Sequence, residues 1–97
     1  MYKIVYTKQA VKDVKKIKST GLDKKAKELI DIMKEDPFTN PPHYEALVGN
    51  LQGYFSRRIN IQHRIVYQVY NGTFEENNVM YEGVVKIIRL WTHYDKL

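Results

Sequence analysis

Cysteine is absent from the 97-residue chain. That excludes a disulfide framework, a thiolate nucleophile and any zinc site built on sulfur. Histidine is scarce, and His43, His63 and His93 lack the short spacing that would put two on one helix face, so no metal site is expected. There is no glycine-rich phosphate loop and no G-x-S-x-G, and Ser19 and Ser56 carry no signature of an activated nucleophile. Long apolar runs are missing too. Met1-Tyr2-Lys3-Ile4-Val5-Tyr6 is not the start of a signal peptide, and no stretch is long enough to span a bilayer. No membrane partner is therefore expected, and the chain reads as cytoplasmic. The length leaves no room for a complete dinucleotide-binding unit, and implies one domain over residues 1–97.

What is present is positive charge on a globular composition. Hydrophobic residues make up 43% and charged residues 28%, well outside the disordered range. The net charge is +5 and the isoelectric point near 9.4. Such a balance favours polyanionic partners: nucleic acid, an acidic protein or an anionic surface. The two halves carry the excess differently. All basic residues up to residue 50 are lysines, and all four arginines follow it. Diffuse lysine charge suits docking on RNA, whereas arginine pairs bidentately with individual phosphates.

The chain opens with a β-branched and aromatic strand, Tyr2 to Tyr6, and Thr7 can cap the helix after it. Val11, Val14 and Ile17 form an apolar stripe, with Lys12, Lys15, Lys16 and Lys18 off it or at its edges. Gly21 breaks the helix. A second follows with Ala26, Leu29, Ile30 and Met33 at i, i+3, i+4 and i+7, and it ends at Asp36-Pro37. Residues 36–50 read as a stiff irregular connection, after which the texture is β. Strands are expected at Tyr54 to Ile59, His63 to Tyr70 and Lys86 to His93, with Asn60-Ile61-Gln62 a tight link. Asn71-Gly72-Thr73 reads as a hairpin turn rather than a glycosylation site, because Asn-Gly adopts positive φ readily. Residues 71–85 form a longer hairpin loop or an extension, with Glu75, Glu76 and Glu82 exposed. The order predicts an α+β domain: an N-terminal strand, a helical hairpin, then an antiparallel sheet with one open face.

Strand parity populates that open face. Placing Ile65, Tyr67 and Val69 inward sends Arg64, Val66 and Gln68 outward. Placing Ile88 and Leu90 inward sends Arg89, Trp91 and His93 outward. Phe55 and Ile59 inward put Ser56 and Arg58 outward, and leave Arg57 pointing inward, where a sheet edge or bulge would accommodate it. Arg58, Arg64, Arg89, Trp91 and His93 thus share a face fitted to RNA or another polyanion. Trp91 can stack on a base. His93 titrates near neutral pH and can donate a proton. Glu45, just after Pro41-Pro42, can serve as general base on a ribose 2′-hydroxyl. The plainer alternative is a solvated β surface whose arginines bridge to carboxylates, with inert histidines.

Asn50-Leu51-Gln52-Gly53-Tyr54-Phe55-Ser56-Arg57-Arg58-Ile59 followed by His63-Arg64-Ile65-Val66-Tyr67, together with Thr92-His93-Tyr94 and Glu45-Ala46-Leu47, resembles the YoeB/Txe branch of the RelE/ParE toxin superfamily. The resemblance is tight from Glu45 to Tyr67 and looser elsewhere. It implies a RelE-like, microbial-ribonuclease type of fold and a bacterial type II toxin that cleaves mRNA in the ribosomal A site. It implies Glu45 as general base, Arg64 on the scissile phosphate and the transition state, and His93 as general acid toward the departing 5′-oxygen. Tyr94 would position the substrate and Arg58 would support phosphate binding. The products would be a 2′,3′-cyclic phosphate or 3′-phosphate and a 5′-hydroxyl, and no metal or other cofactor is needed because the nucleophile is internal. The implied partners are mRNA on the ribosome, ribosomal RNA and a YefM-like acidic antitoxin, with operator DNA bound only through the antitoxin complex. Three features depart from the family: Asp95-Lys96-Leu97 follow the His-Tyr, Ala46 stands in place of proline, and residues 71–85 are inserted. The insertion is open to altered antitoxin contacts, altered ribosome contacts or the edge of a homodimer. Two other readings stay open: a non-enzymatic ParE-like topoisomerase inhibitor, a branch that lacks the Glu/Arg/His set, and a plain RNA-binding module.

Overall fold

The computed structural model describes residues 1–91. The elements in chain order are β1 (Tyr2–Tyr6), α1 (Lys8–Ser19), α2 (Asp23–Glu35), β2 (Tyr44–Ala46), a 3₁₀ turn (Gly49–Leu51), β3 (Phe55–Arg58), β4 (Arg64–Glu76) and β5 (Val79–Arg89). The five strands form one sheet in the order β1-β5-β4-β3-β2. It is α+β as expected, but mixed: β1 runs parallel to β5, and every other pairing is antiparallel. Hairpin-by-hairpin reading cannot orient β1, because its partner is the last strand in the chain.

Both helices form for local reasons. The Thr7 hydroxyl accepts from the Ala10 amide at 3.0 Å and donates to the Ile88 carbonyl at 2.9 Å, so one side chain caps α1 and ties it to β5. In α2 the face Ala26, Leu29, Ile30 and Met33 is buried as its spacing predicts. In α1 the inward face is Ala10, Asp13 and Ile17, whereas Val11 and Val14 are 50% and 39% exposed, contrary to the predicted stripe. A charged residue at the centre of the buried face disguises it in the sequence. Ile17, Leu29, Ile30 and Met33 pack with Ile65, Tyr67, Val85, Ile87 and Leu90 in one core. Each large side chain so buried contributes about 1.5–3 kcal/mol.

The helices do not cover the whole inner face. Beyond them the proline-rich connection lies against β2, β3 and β4. Phe38 meets the Phe55 ring edge-on at 5.1 Å and the Tyr44 ring at 5.7 Å. Arg57 sits in register opposite Tyr44 and Ile65, without the expected bulge, and is 1% exposed. It donates to the carbonyls of Pro37, Thr39 and Pro42 at 2.9, 2.9 and 2.6 Å. The Tyr67 hydroxyl donates to the Pro37 carbonyl at 2.8 Å, and burial pushes its pKa up to about 12. An irregular segment has no ladder to satisfy its carbonyls, and a buried guanidinium supplies that need.

Residues 71–85 form no loop. β4 and β5 continue as a long hairpin whose turn is Asn77-Asn78, with φ of 52° and 65°, the pattern of a type I′ turn. Asn71-Gly72 is therefore not the turn. The register gains a residue on β4 between Asn71 and Phe74, and Gly72, with φ of 146°, accommodates this bulge. Glu75, Glu76 and Glu82 are exposed as expected. The extension is tied down by Lys3–Glu76 and by the Met1 amine 2.8 Å from Glu82.

Candidate active site

On the sheet face opposite the helices, register brings together residues distant in sequence. Glu45 pairs with Ser56, and Arg58 with Arg64. Alternation then sends all four side chains to the same side. They line a cleft of about 370 Å³ together with Pro42 and His43. Glu45 owes its place to β2, a strand of three residues too short to announce itself in the sequence.

Arg64 Nη1 lies 3.8 Å from Glu45 Oε1 and donates to the Ser56 hydroxyl at 3.3 Å. The guanidinium is 19% exposed and the carboxylate 45%. At 3.8 Å the ion pair is too long to be a hydrogen bond, so the carboxylate keeps its lone pairs for a proton. Such a half-exposed pair contributes at most about 1 kcal/mol to folding. Two arginines at one cleft are suited to holding a phosphate bidentately and to stabilising charge that develops on it. Arg58 is exposed on the rim.

Other predicted site residues fall elsewhere. Arg89 turns toward α1: its Nε donates to Asp13 Oδ2 at 2.7 Å, and the Leu90 amide donates to the same oxygen at 3.0 Å. Asp13 is 0% exposed. Burial works to raise its pKa, but the bonds from Arg89, the Leu90 amide and Gln9 outweigh this and hold it below the ordinary 3.8. Arg89 is therefore a partner of a buried carboxylate, not a member of the open face. The cause is one extra residue on β5: Val66 pairs with Arg89 but Tyr67 with Ile87, so Ile88 interrupts the alternation. Val85, Ile87 and Leu90 are buried and Ile88 is not, which reverses the predicted parity at Ile88 and Arg89. Trp91 follows Leu90, which is buried as its parity predicts, so the extra residue does not account for its position. Its ring packs against the core, 4.6 Å from the His63 ring, with the Lys16 ammonium 5.7 Å from its centroid. It is not a free stacking platform. His93 and Tyr94 lie outside the described residues.

Two contributors escaped the sequence reading. Ser56, 1% exposed, supports the Arg64 guanidinium. His43, two residues before Glu45, lines the same cleft, with Nε2 3.9 Å from Glu45 Oε1. The signal was the i, i+2 spacing, usable only once residues 44–46 are known to be a strand. His63 is 7% exposed, its Nδ1 3.0 Å from the Asn60 side-chain oxygen, and holds the β3–β4 turn. Among the described residues no group of His, Asp and Glu could hold a metal ion. No helix among them is long and apolar enough to cross a membrane.

Residues 6–94 match the YoeB-like toxin of bacterial type II toxin–antitoxin systems. The Toxin YoeB of Synechocystis sp. is 49% identical over 41 residues, which are 42% of this chain and 48% of that relative. The chain thus spans about half the length of the curated relatives it matches. In overall structure it is similar to a YoeB/ParE toxin from Agrobacterium tumefaciens, with a TM-score of 0.78 and 30% identity over 95% of this chain and 99% of that one. It is also similar to a chain of the heterotetrameric YoeB–YefM toxin–antitoxin complex of Staphylococcus aureus, with a TM-score of 0.70 and 31% identity over 97% and 99%.

Proposed function

Since the chain belongs to the YoeB-like toxin family of bacterial type II toxin–antitoxin systems, we propose that it is a ribosome-dependent endoribonuclease acting on mRNA in the A site. The observation that carries this reading is Glu45 and Arg64, 3.8 Å apart in a basic cleft on the sheet face left bare by the helices. Glu45 takes the proton from a ribose 2′-hydroxyl, and the oxygen attacks the adjacent phosphorus. Arg64, steadied by Ser56, neutralises charge on the pentacovalent transition state, and Arg58 holds a phosphate oxygen. His93 protonates the departing 5′-oxygen and Tyr94 helps orient the RNA. Because the nucleophile and its leaving group belong to the same strand, no metal is required.

In support of His93 as the acid, the Trp91 carbonyl accepts from the Arg64 amide at 3.1 Å, so the chain reaches Arg64 two residues before His93. The lysines of α1 and α2 supply sequence-independent attraction to ribosomal RNA. The partner that silences the toxin is a YefM-like antitoxin with an acidic segment that folds on binding. The working compartment is the bacterial cytoplasm, and residues 1–97 act as one toxin domain.

Induction in a bacterial host, with transcriptome-wide mapping of mRNA 5′ ends, tests this. Codon-registered cuts that vanish in Glu45→Gln, Arg64→Ala and His93→Gln are expected. Growth arrest with intact mRNA and altered DNA supercoiling would overturn it in favour of topoisomerase inhibition.

A further inference from the structure

One titratable side chain in the cleft has no task in the reaction above. His43 and Glu45 both line it, while Tyr44 between them packs on the other face against Phe38. Two groups able to carry positive charge converge on a single carboxylate oxygen. Arg64 Nη1 is 3.8 Å from Glu45 Oε1, and His43 Nε2 is 3.9 Å from the same atom. Oε1 is the carboxylate oxygen nearest both groups, and among the described residues the Glu45 side chain accepts no hydrogen bond. The imidazole is 74% exposed at the lip, whereas the guanidinium is set deeper.

We propose that His43, in its imidazolium form, is a positioning residue for Glu45: it draws Oε1 toward the lip against the pull of Arg64 and so presents Oε2 to the 2′-hydroxyl. This rests on the reading of Glu45 as general base. The charged groups facing His43 across the cleft are Glu45 on β2, Arg58 on β3 and Arg64 on β4, with Ser56 the neutral polar neighbour. Once His43 loses its proton, the cations left at the cleft among the described residues are the two arginines. The carboxylate then swings inward to pair with them, and the oxygen that should receive the proton is spent on the guanidinium. A positioning cation that can be lost by deprotonation makes its contribution to cleavage depend on pH, and histidine is the side-chain type suited to such a switch.

The experiment is single-turnover cleavage of mRNA on programmed ribosomes by wild type, His43→Ala, His43→Lys and Glu45→Gln, between pH 5.5 and 8.5. His43→Ala is expected to slow the first-order cleavage step about five- to tenfold, with the half-saturating ribosome concentration changed less than about twofold. His43→Lys retains a cation that does not titrate in this range, so it keeps most of the rate. Its alkaline limb should move up by about one pH unit or more relative to wild type. His93 contributes its own limb in every variant, so the difference between the two profiles is the diagnostic. A loss confined to half-saturation, or profiles of wild type and His43→Lys that superimpose, overturns the proposal. If Glu45→Gln cleaves like wild type, the general-base reading itself falls. If Glu45→Gln is inactive and the profiles superimpose, only the role of His43 falls.

Discussion

Asp13 offers the sharpest test of how this fold is held. A carboxylate at 0% exposure in the middle of a helix face is destabilising unless it is fully paired. Here it accepts from Arg89 Nε at 2.7 Å, from the Leu90 amide at 3.0 Å and from Gln9 at 3.3 Å. Truncation to alanine would orphan a buried amide and strip the counter-charge from a guanidinium that is only 20% exposed. Breaking a buried pair in this way costs about 3–5 kcal/mol. That is a large part of the roughly 5–15 kcal/mol that stabilises a domain of this size. Asp13→Asn is the more informative variant. It keeps one acceptor for the Leu90 amide and loses the charge-assisted bond to Arg89, for a cost of about 1.5–3 kcal/mol. With a urea m-value of about 1–1.5 kcal/mol/M, the midpoint should drop by about 1–3 M at pH 7. The pH dependence follows from the depressed pKa of Asp13. The unfolded state takes up the proton first, so the stabilisation is complete above the unfolded value and is lost as pH falls through the folded one. The gap between wild type and Asp13→Asn should therefore narrow on acidification below about pH 4. A gap under about 0.5 kcal/mol at pH 7, or one unchanged between pH 7 and pH 3, would refute the argument; the threshold is the usual spread of surface substitutions.

Four further outcomes follow from single positions. A Cβ at Gly83 would lie 2.3 Å from the Tyr70 carbonyl oxygen and 3.0 Å from the Tyr2 ring, so Gly83→Ala should destabilise by about 1–3 kcal/mol in thermal melts, the ordinary cost of overpacking. Arg57→Met removes the donor shared by three loop carbonyls and should cost about 3 kcal/mol or more in urea titration, with ribosome-dependent cleavage per folded molecule largely kept. In the cleft, Arg64→Ala should slow cleavage about 10²–10³-fold, as loss of a transition-state charge donor does. Glu45→Gln should slow it about 10²–10⁴-fold with ribosome binding near normal, and equal loss of binding would remove Glu45 from the role of base.

The residues differ in how far their neighbours in sequence reveal them. Ala26, Leu29, Ile30 and Met33 announce a buried face by spacing alone, and the Arg58–Arg64 pair follows from alternation along two regular strands. Periodicity of that kind is a property of consecutive residues, so the α+β class, the helical hairpin, the open face and the motif from Glu45 to Tyr67 were all determined by the sequence itself. Other positions were decided only by tertiary structure. One extra residue at Ile88 carried Arg89 from the open face to Asp13, and a bulge at Gly72 moved the turn to Asn77-Asn78. A three-residue strand put Glu45 opposite Ser56, with His43 beside it. Parity alone turned Arg57 inward without saying what would satisfy it, and no pattern singled out Asp13; both are buried because distant backbone groups needed a donor and an acceptor there. The physical reason is common to all of them. A side-chain pattern states which way a regular strand or helix faces, whereas a register offset or a buried polar bond depends on a partner far along the chain, which is brought close only when the sheet assembles.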